Sequence, residues 1–126
     1  MRRSTKWTLV GAAVAFVVLT APAGARAAQV TASCYGPGLY GNHTANGTVL
    51  TPQTEGIAHR SLPLGTPVVL YAPGRRAAFA KVIDRGPFVS GRSVDVTSAT
   101  ARRLGYSSCA TFGVRRLNLW IVKEIA

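Results

Sequence analysis

Ala77-Ala78-Phe79-Ala80-Lys81-Val82-Ile83-Asp84-Arg85-Gly86-Pro87-Phe88 is the stretch on which the reading of the fold turns. Its first seven residues read as a strand. Asp84-Arg85-Gly86-Pro87 ends that strand, because Gly and Pro break regular pairing. Upstream, Pro73-Gly74-Arg75-Arg76 reads as a hairpin loop back to a strand over Pro67 to Tyr71. Leu62-Pro63-Leu64-Gly65-Thr66 is a turn before it, and Ile57-Ala58 is a short strand. Residues 41–48 are turn-rich, with Asn46-Gly47 as a tight-turn signal. Val30 to Tyr35 alternates as a strand does, and Gly36-Pro37-Gly38 breaks it.

Downstream, Ser93 to Val96 is a short strand. Thr97 or Ser98 is placed to cap a helix over Ala99 to Leu104, and Gly105 suits its end. Val114 to Ile121 closes the chain as an apolar strand. Many short strands at close spacing predict a small barrel or sandwich, mostly β.

The N-terminal segment stands apart. Arg2, Arg3 and Lys6 precede an apolar run from Leu9 to Leu19, and Ala25 and Ala27 supply the small residues of a cleavage site. That is the pattern of a secretory signal peptide, residues 1–27, with the domain over 28–126. A retained anchor is the alternative. It needs about twenty predominantly apolar residues, and Gly11, Thr20, Pro22 and Gly24 dilute this stretch. No stable membrane span is therefore expected after cleavage. Secretion places Cys34 and Cys109 in an oxidising compartment, where an isolated pair is usually a disulfide.

The full chain has 15 Lys and Arg against 4 Asp and Glu. Four of the basic residues precede position 28, which leaves eleven against four and a charge of +7. Such a surface favours anionic partners. The basic residues are scattered in runs of two at most, so nucleic acid is not expected. Wall polymers bearing carboxylates or phosphates fit better, although plain solubility accounts for the charge as well.

Chemistry is bounded by the scarcity of acids: Glu55, Asp84, Asp95 and Glu124 are all there are. Any carboxyl-based glycoside cleavage must use Glu55, Asp84 or Asp95, since Glu124 sits at the solvated C-terminus. By position alone, the expected roles are Asp84 capping its own turn and Asp95 capping the next helix. His43 and His59 make a poor metal set without a nearby Cys, so neither metal nor cofactor is expected. No nucleophile elbow and no phosphate loop occur.

Five ordered blocks resemble the RlpA-like family. They are Ala32-Ser33-Cys34-Tyr35-Gly36, Thr44-Ala45-Asn46-Gly47, Ala58-His59-Arg60-Ser61-Leu62-Pro63-Leu64-Gly65-Thr66, Asp84-Arg85-Gly86-Pro87-Phe88, and Gly91 to Gly105 with Val94-Asp95-Val96 inside it. The resemblance covers about residues 31–122. It implies a six-stranded double-psi β-barrel with one or two short helices and a groove on one face. Members include lytic transglycosylases that cut peptidoglycan glycan strands, and expansin-type barrels are related. The resemblance makes Asp84, Asp95 and His59 candidate catalytic residues. It makes Tyr35, Asn46, Thr48, Arg85 and Arg92 candidate substrate contacts. Thr48 stands where the family often has Glu, and Glu55, seven residues on, is the nearby acid to consider as its replacement. Cys34 replaces a Trp, consistent with a bridge to Cys109.

Three functions follow in order of preference. The first is a secreted, monomeric peptidoglycan lytic transglycosylase in which one aspartic acid protonates the glycosidic oxygen. The second is a wall-binding or loosening module without cleavage. The third is a secreted protein-interaction module on the same barrel.

Overall fold

The computed structural model describes residues 27–122. The expected signal segment and Glu124 lie outside the described residues. Six strands form a closed barrel: β1 Ala28–Tyr35, β2 Ile57–His59, β3 Pro67–Tyr71, β4 Ala78–Asp84, β5 Val94–Thr97 and β6 Arg115–Ile121. Two short helices accompany them, α1 Ser98–Arg103 and α2 Cys109–Phe112. The strands run around the barrel in the order β1-β5-β2-β4-β3-β6, and β6 pairs back onto β1. β1 and β5 are parallel, as are β2 and β4; the remaining four pairs are antiparallel. This is the expected double-psi β-barrel.

Only β3 and β4 are neighbours both in the chain and in the barrel, joined by the hairpin at residues 73–76. Every other adjacency brings together segments distant in the chain, so all six strands share one core. Ala32, Ile57, Val68, Leu70, Ala80, Val82, Val94, Val96, Leu117 and Leu119 fill the interior. Small alanines on β4 leave room for the larger side chains opposite, as a narrow barrel requires. Leu104, Tyr106 and Phe112 extend this core beyond the strands.

Thr97 caps α1, its side chain accepting from the Thr100 amide. The sequence left the choice between Thr97 and Ser98 open. α2 is the second short helix that the resemblance allows for, although no pattern in the residues placed it; Ser108 caps it by accepting from the Thr111 amide. Four residues carry too little periodicity to be read. What holds α2 is Phe112, fully buried, and the disulfide from Cys109 to Cys34 on β1. That bridge closes a separation of 75 residues, a constraint on the unfolded chain of about 4 kcal/mol in the chain-entropy account.

One irregularity decides where the chemistry lies. β2 pairs with β4 as Ile57 with Val82, and then as Ala58 with Asp84. Ile83 is the extra residue, a bulge. Strict alternation puts Asp84 on the same side as Val82, inside the barrel. The bulge turns it outward instead. The side chain of the bulged Ile83 lies over Gly56, where a Cβ would meet its Cδ1 at 2.6 Å. Gly56 is also tied by its amide to the Thr100 hydroxyl, 2.9 Å away, and by its carbonyl to the Thr97 amide, so it cannot easily withdraw. Gly56→Ala is expected to lose about 2 kcal/mol in urea unfolding, and to do so by displacing Ile83. Combining it with Ile83→Val should recover part of that loss, and failure to recover any would remove Ile83 from the explanation.

Candidate active site

The cleft is built from a lateral row of residues on four adjacent strands. Ser33 on β1 pairs with Asp95 on β5, Asp95 with Ala58 on β2, and Ala58 with Asp84 on β4. Val94 and Val96 point into the core, so Asp95 between them points out. The bulge brings Asp84 to the same face. Two strand spacings, about 10 Å, separate the two backbones. A cavity of about 310 Å³ opens over this row, and both carboxylates line it with Tyr35, His43, Phe88 and Arg92.

Each carboxylate has one oxygen anchored. Asp84 Oδ1 accepts from the amides of Ala45 and Arg85, both at 2.9 Å. Asp95 Oδ1 accepts from the Ser33 hydroxyl. The Oδ2 of each has no hydrogen bond among the described residues. Thus Asp84 does cap its own turn and still faces the cleft, whereas the helix cap expected of Asp95 is made by Thr97. Tyr35 sits beside both acids. Its buried hydroxyl has no protein partner. Burial first, and then the charges of Asp84 and Asp95, push its phenol above the usual value, so it stays neutral.

The other expected site residues have structural work. Asn46 Oδ1 accepts from the Thr44 hydroxyl at 2.6 Å and the Thr48 amide at 3.1 Å. The Asn46 amide donates to Ile83 O. The Thr44-Ala45-Asn46-Gly47 turn is therefore a device that presents the Ala45 amide to Asp84. Neither Asn46 nor Thr48 lines the cavity. Glu55 does not reach it either: its carboxylate pairs with Arg103 at 3.1 Å. The possible replacement for the missing Glu is thereby removed.

His59 lies outside the cavity lining. It pairs with Val94 on β5, one residue out of step with the carboxylate row. Its Nδ1 accepts from the amides of Ser61 and Leu62, at 3.1 and 3.0 Å, so the neutral ring carries its proton on Nε2. Arg85 lines the cavity, but its guanidinium donates to the carbonyls of His59 and Leu62. Arg60 donates to the carbonyls of Pro87 and Arg92, at 2.8 and 2.6 Å. Two arginines thus fasten the 85–92 loop to the 59–62 loop.

Sequence reading passed over His43, set aside there as a metal ligand, and over Leu39 and Val89. All three line the cavity from loops. No periodic pattern marks them; their placement follows from the pairing of His43 with Val49 and from the stapled 85–92 loop. No cluster of three or more His, Cys, Asp or Glu fit to hold a metal occurs among the described residues.

Burial, followed by the charges of Arg60 and Arg85, lowers the His59 pKa from 6.5. Above that value the ring is neutral whether the chain is folded or not. As pH falls through 6.5, the unfolded chain takes the proton first and stability drops, until the folded ring also protonates. Urea unfolding between pH 5 and 8, on the order of the usual imidazole range, should show this acid limb. His59→Ala should lose it, and be weaker by about 1 kcal/mol at the alkaline end, where two amides lose their acceptor. An unchanged limb in the variant would assign it to other groups.

Comparisons with known proteins agree with this architecture. A family model described as lytic transglycolase, a double-psi β-barrel domain, matches residues 27–116. A probable endolytic peptidoglycan transglycosylase RlpA from Synechocystis is 40% identical over 93 residues, 73% of this chain and 28% of the relative. The RlpA of Pseudomonas aeruginosa is 38% identical over 86 residues, 68% of this chain and 25% of the relative. The chain therefore spans under a third of the length of these relatives. Among solved structures, a Streptomyces papain inhibitor superposes with a TM-score of 0.59 at 17% identity, over 78% of this chain and 96% of the inhibitor; that likeness concerns the fold. The chain belongs to the lytic transglycolase family of double-psi β-barrels, the family of the RlpA proteins.

Proposed function

We propose that this domain cleaves the glycan strands of peptidoglycan as a lytic transglycosylase, outside the cytoplasm. The observation that carries the reading is the pair of carboxylates in one cleft, each with Oδ1 held and Oδ2 free. A held oxygen fixes the direction of the group, and a free one can meet a substrate. The names of the RlpA relatives support the same activity. Export is supported by the N-terminal signal pattern and by the disulfide, which persists in oxidising compartments. We take the domain to act as a monomer without a cofactor.

In the proposed reaction one aspartic acid gives its proton to the glycosidic oxygen between muramic acid and glucosamine as that bond breaks. The muramic 6-hydroxyl attacks the anomeric carbon and passes its proton to the carboxylate that has just given one up, so an anhydromuramic end forms, the acid is restored and no water is consumed. The second carboxylate stabilises the positive charge that develops on the sugar. The 6-hydroxyl belongs to the same sugar, so the attack gains from proximity. Asp84, with two backbone amides on Oδ1, suits the fixed negative role. Asp95, held by one hydroxyl, suits the proton donor. Tyr35, neutral beside both, lines the cleft with an unpartnered hydroxyl that can meet the substrate. Arg85 and His59 act as positioning residues through the loops they hold, and Asn46 with Thr48 acts by shaping the turn that binds Asp84.

Phe88 supports a sugar-binding reading. It stands at the mouth of the cleft with 80% of its surface exposed, beside Val89 and Leu39. Exposed apolar surface gathered at a cleft marks a ligand groove. A second reading, wall binding without cleavage, is favoured by Thr48 and by the turned-away Glu55.

Incubation of the protein with purified peptidoglycan separates the two readings. Soluble products with anhydromuramic ends are expected, detected by mass spectrometry. Asp95→Asn and Asp84→Asn should each lower their release by about a hundredfold or more, the scale of general acid catalysis. Retention on the wall with no anhydro product would select the binding reading. Undiminished release from both variants would rule out the aspartates.

A further inference from the structure

The sequence spreads its basic residues in runs of two at most, but the fold brings two of those runs together. Arg75-Arg76 lies in the hairpin between β3 and β4, and Arg102-Arg103 forms the last turn of α1. Arg75 donates to Gly105 O at 3.2 Å, just past the end of α1. Arg76, Arg102 and Arg103 line one cavity of about 300 Å³ with Gln53 and Glu55. This cavity shares no lining residue with the carboxylate cleft.

Three guanidinium groups there face one carboxylate. Glu55 Oε2 accepts from Nε and Nη2 of Arg103, at 3.2 and 3.1 Å. Arg102 gives Nη2 to Pro52 O. Arg76 has no hydrogen-bond or ion-pair partner among the described residues. Like charges gathered in one concavity repel, and an anion from outside relieves that repulsion. Helix polarity explains Arg102 and Arg103, since cations favour a helix C-terminus. It does not explain a third arginine brought there by a hairpin.

The chemistry of the partner follows from exposure and shape. Arg103 keeps 66% of its side-chain surface exposed, and exposed cations hold a single small ion weakly. A polymer of repeating charge gains more, because each bound group raises the local concentration of the next. A planar carboxylate suits one guanidinium fork in its own plane. A tetrahedral phosphate spreads its oxygens and suits arginines arriving from two elements. Single-stranded nucleic acid also needs aromatic rings on which its bases stack. The cavity has none, and the ring of Tyr106 beside the hairpin already carries Arg75 and Arg115, at 4.3 and 4.2 Å from its centroid.

We propose that this arginine pocket is a second binding site, separate from the cleft, for the phosphodiester backbone of an anionic wall polymer, a chain of polyol phosphates. Arg76 and Arg102 take the phosphate oxygens, and the Arg103–Glu55 pair closes the floor. The inference goes beyond cleavage and does not depend on it.

Binding of the full chain to four probes of known charge tests this: a glycerol phosphate polymer, inorganic phosphate, polyglutamate, and a single-stranded oligonucleotide matched in charge to the polymer. The glycerol phosphate polymer is expected to bind at least about tenfold more tightly than the other three, and more weakly as salt rises. Arg76→Gln should weaken that binding about tenfold, the scale of one charge-assisted hydrogen bond. Arg76→Lys should recover part of the loss, since it keeps the charge without the fork. Arg76 has no partner to lose, so thermal unfolding of both variants should match the wild type. Release of anhydro products from phosphate-free wall should be the same in Arg76→Gln as in the wild type. Unchanged polymer binding in Arg76→Gln would overturn the site. Inorganic phosphate, polyglutamate or the oligonucleotide binding as tightly as the polymer would overturn the partner assigned to it. A matching loss of wall cleavage in Arg76→Gln would overturn its separation from the cleft. Polymer binding by a wild-type protein that releases no anhydro product would leave this inference standing and sink the cleavage reading alone.

Discussion

The site depends on a single extra residue in one strand. β2 is three residues long and must satisfy β5 on one side and β4 on the other. Its pairing with β5 puts Asp95 beside Ala58, facing out. Its pairing with β4 delivers Asp84 to the same place only because Ile83 is bulged out of register. Period-two geometry leaves no intermediate arrangement: a regular ladder sends Asp84 into a core filled by Val82, Val94 and Val96. An unpaired carboxylate there costs several kcal/mol. The bulge is thus held from both sides, by the cost of the regular alternative and by the gap that Gly56 leaves for Ile83.

Loops around this row are fixed mainly by charge-assisted bonds to backbone carbonyls. A guanidinium can satisfy two carbonyls at once, as Arg60 and Arg85 do. It thereby replaces the secondary structure that loops with several Gly and Pro residues cannot form. The net positive charge of the chain therefore does not translate directly into affinity for anions. Part of it is spent inside the protein.

The sequence was informative where periodicity and turn chemistry act locally. The strand over Pro67 to Tyr71 matches β3 residue for residue. The hairpin at 73–76, the Thr97 cap and the closing strand also follow from local pattern. What local pattern does not carry is adjacency. Nothing near Asp84 says that Ile83 will bulge, and nothing near Asp95 says that Ser33 will hold it. The resemblance to a known family joined the two acids across the chain. It also assigned Asn46, Thr48 and His59 to the groove by motif; in the structure their polar groups are engaged in local turns and none of the three lines the cavity. Their motifs are readable in sequence, but whether a side chain faces the cleft or its own loop depends on hydrogen bonds closed within three residues. His43 was the reverse case: it carries no motif, and the fold of its loop puts it at the cleft.

The absence of an acid at position 48 bears on how the chemistry is divided. Water-consuming cleavage needs a base to activate water as well as an acid, which here asks both aspartates to take part in proton transfer. Intramolecular attack relaxes that demand. Once the acid has given its proton to the leaving oxygen, the same carboxylate is the base that accepts the proton of the 6-hydroxyl, and the other acid need only remain charged. The proposed cycle asks for no more than two differently anchored carboxylates, the two acids that line the cleft among the described residues. In the proposed reaction, Thr48 in place of Glu would therefore remove no proton carrier. It leaves the Ala45 amide, rather than a second acidic side chain, as the part of the turn that sets how Asp84 behaves.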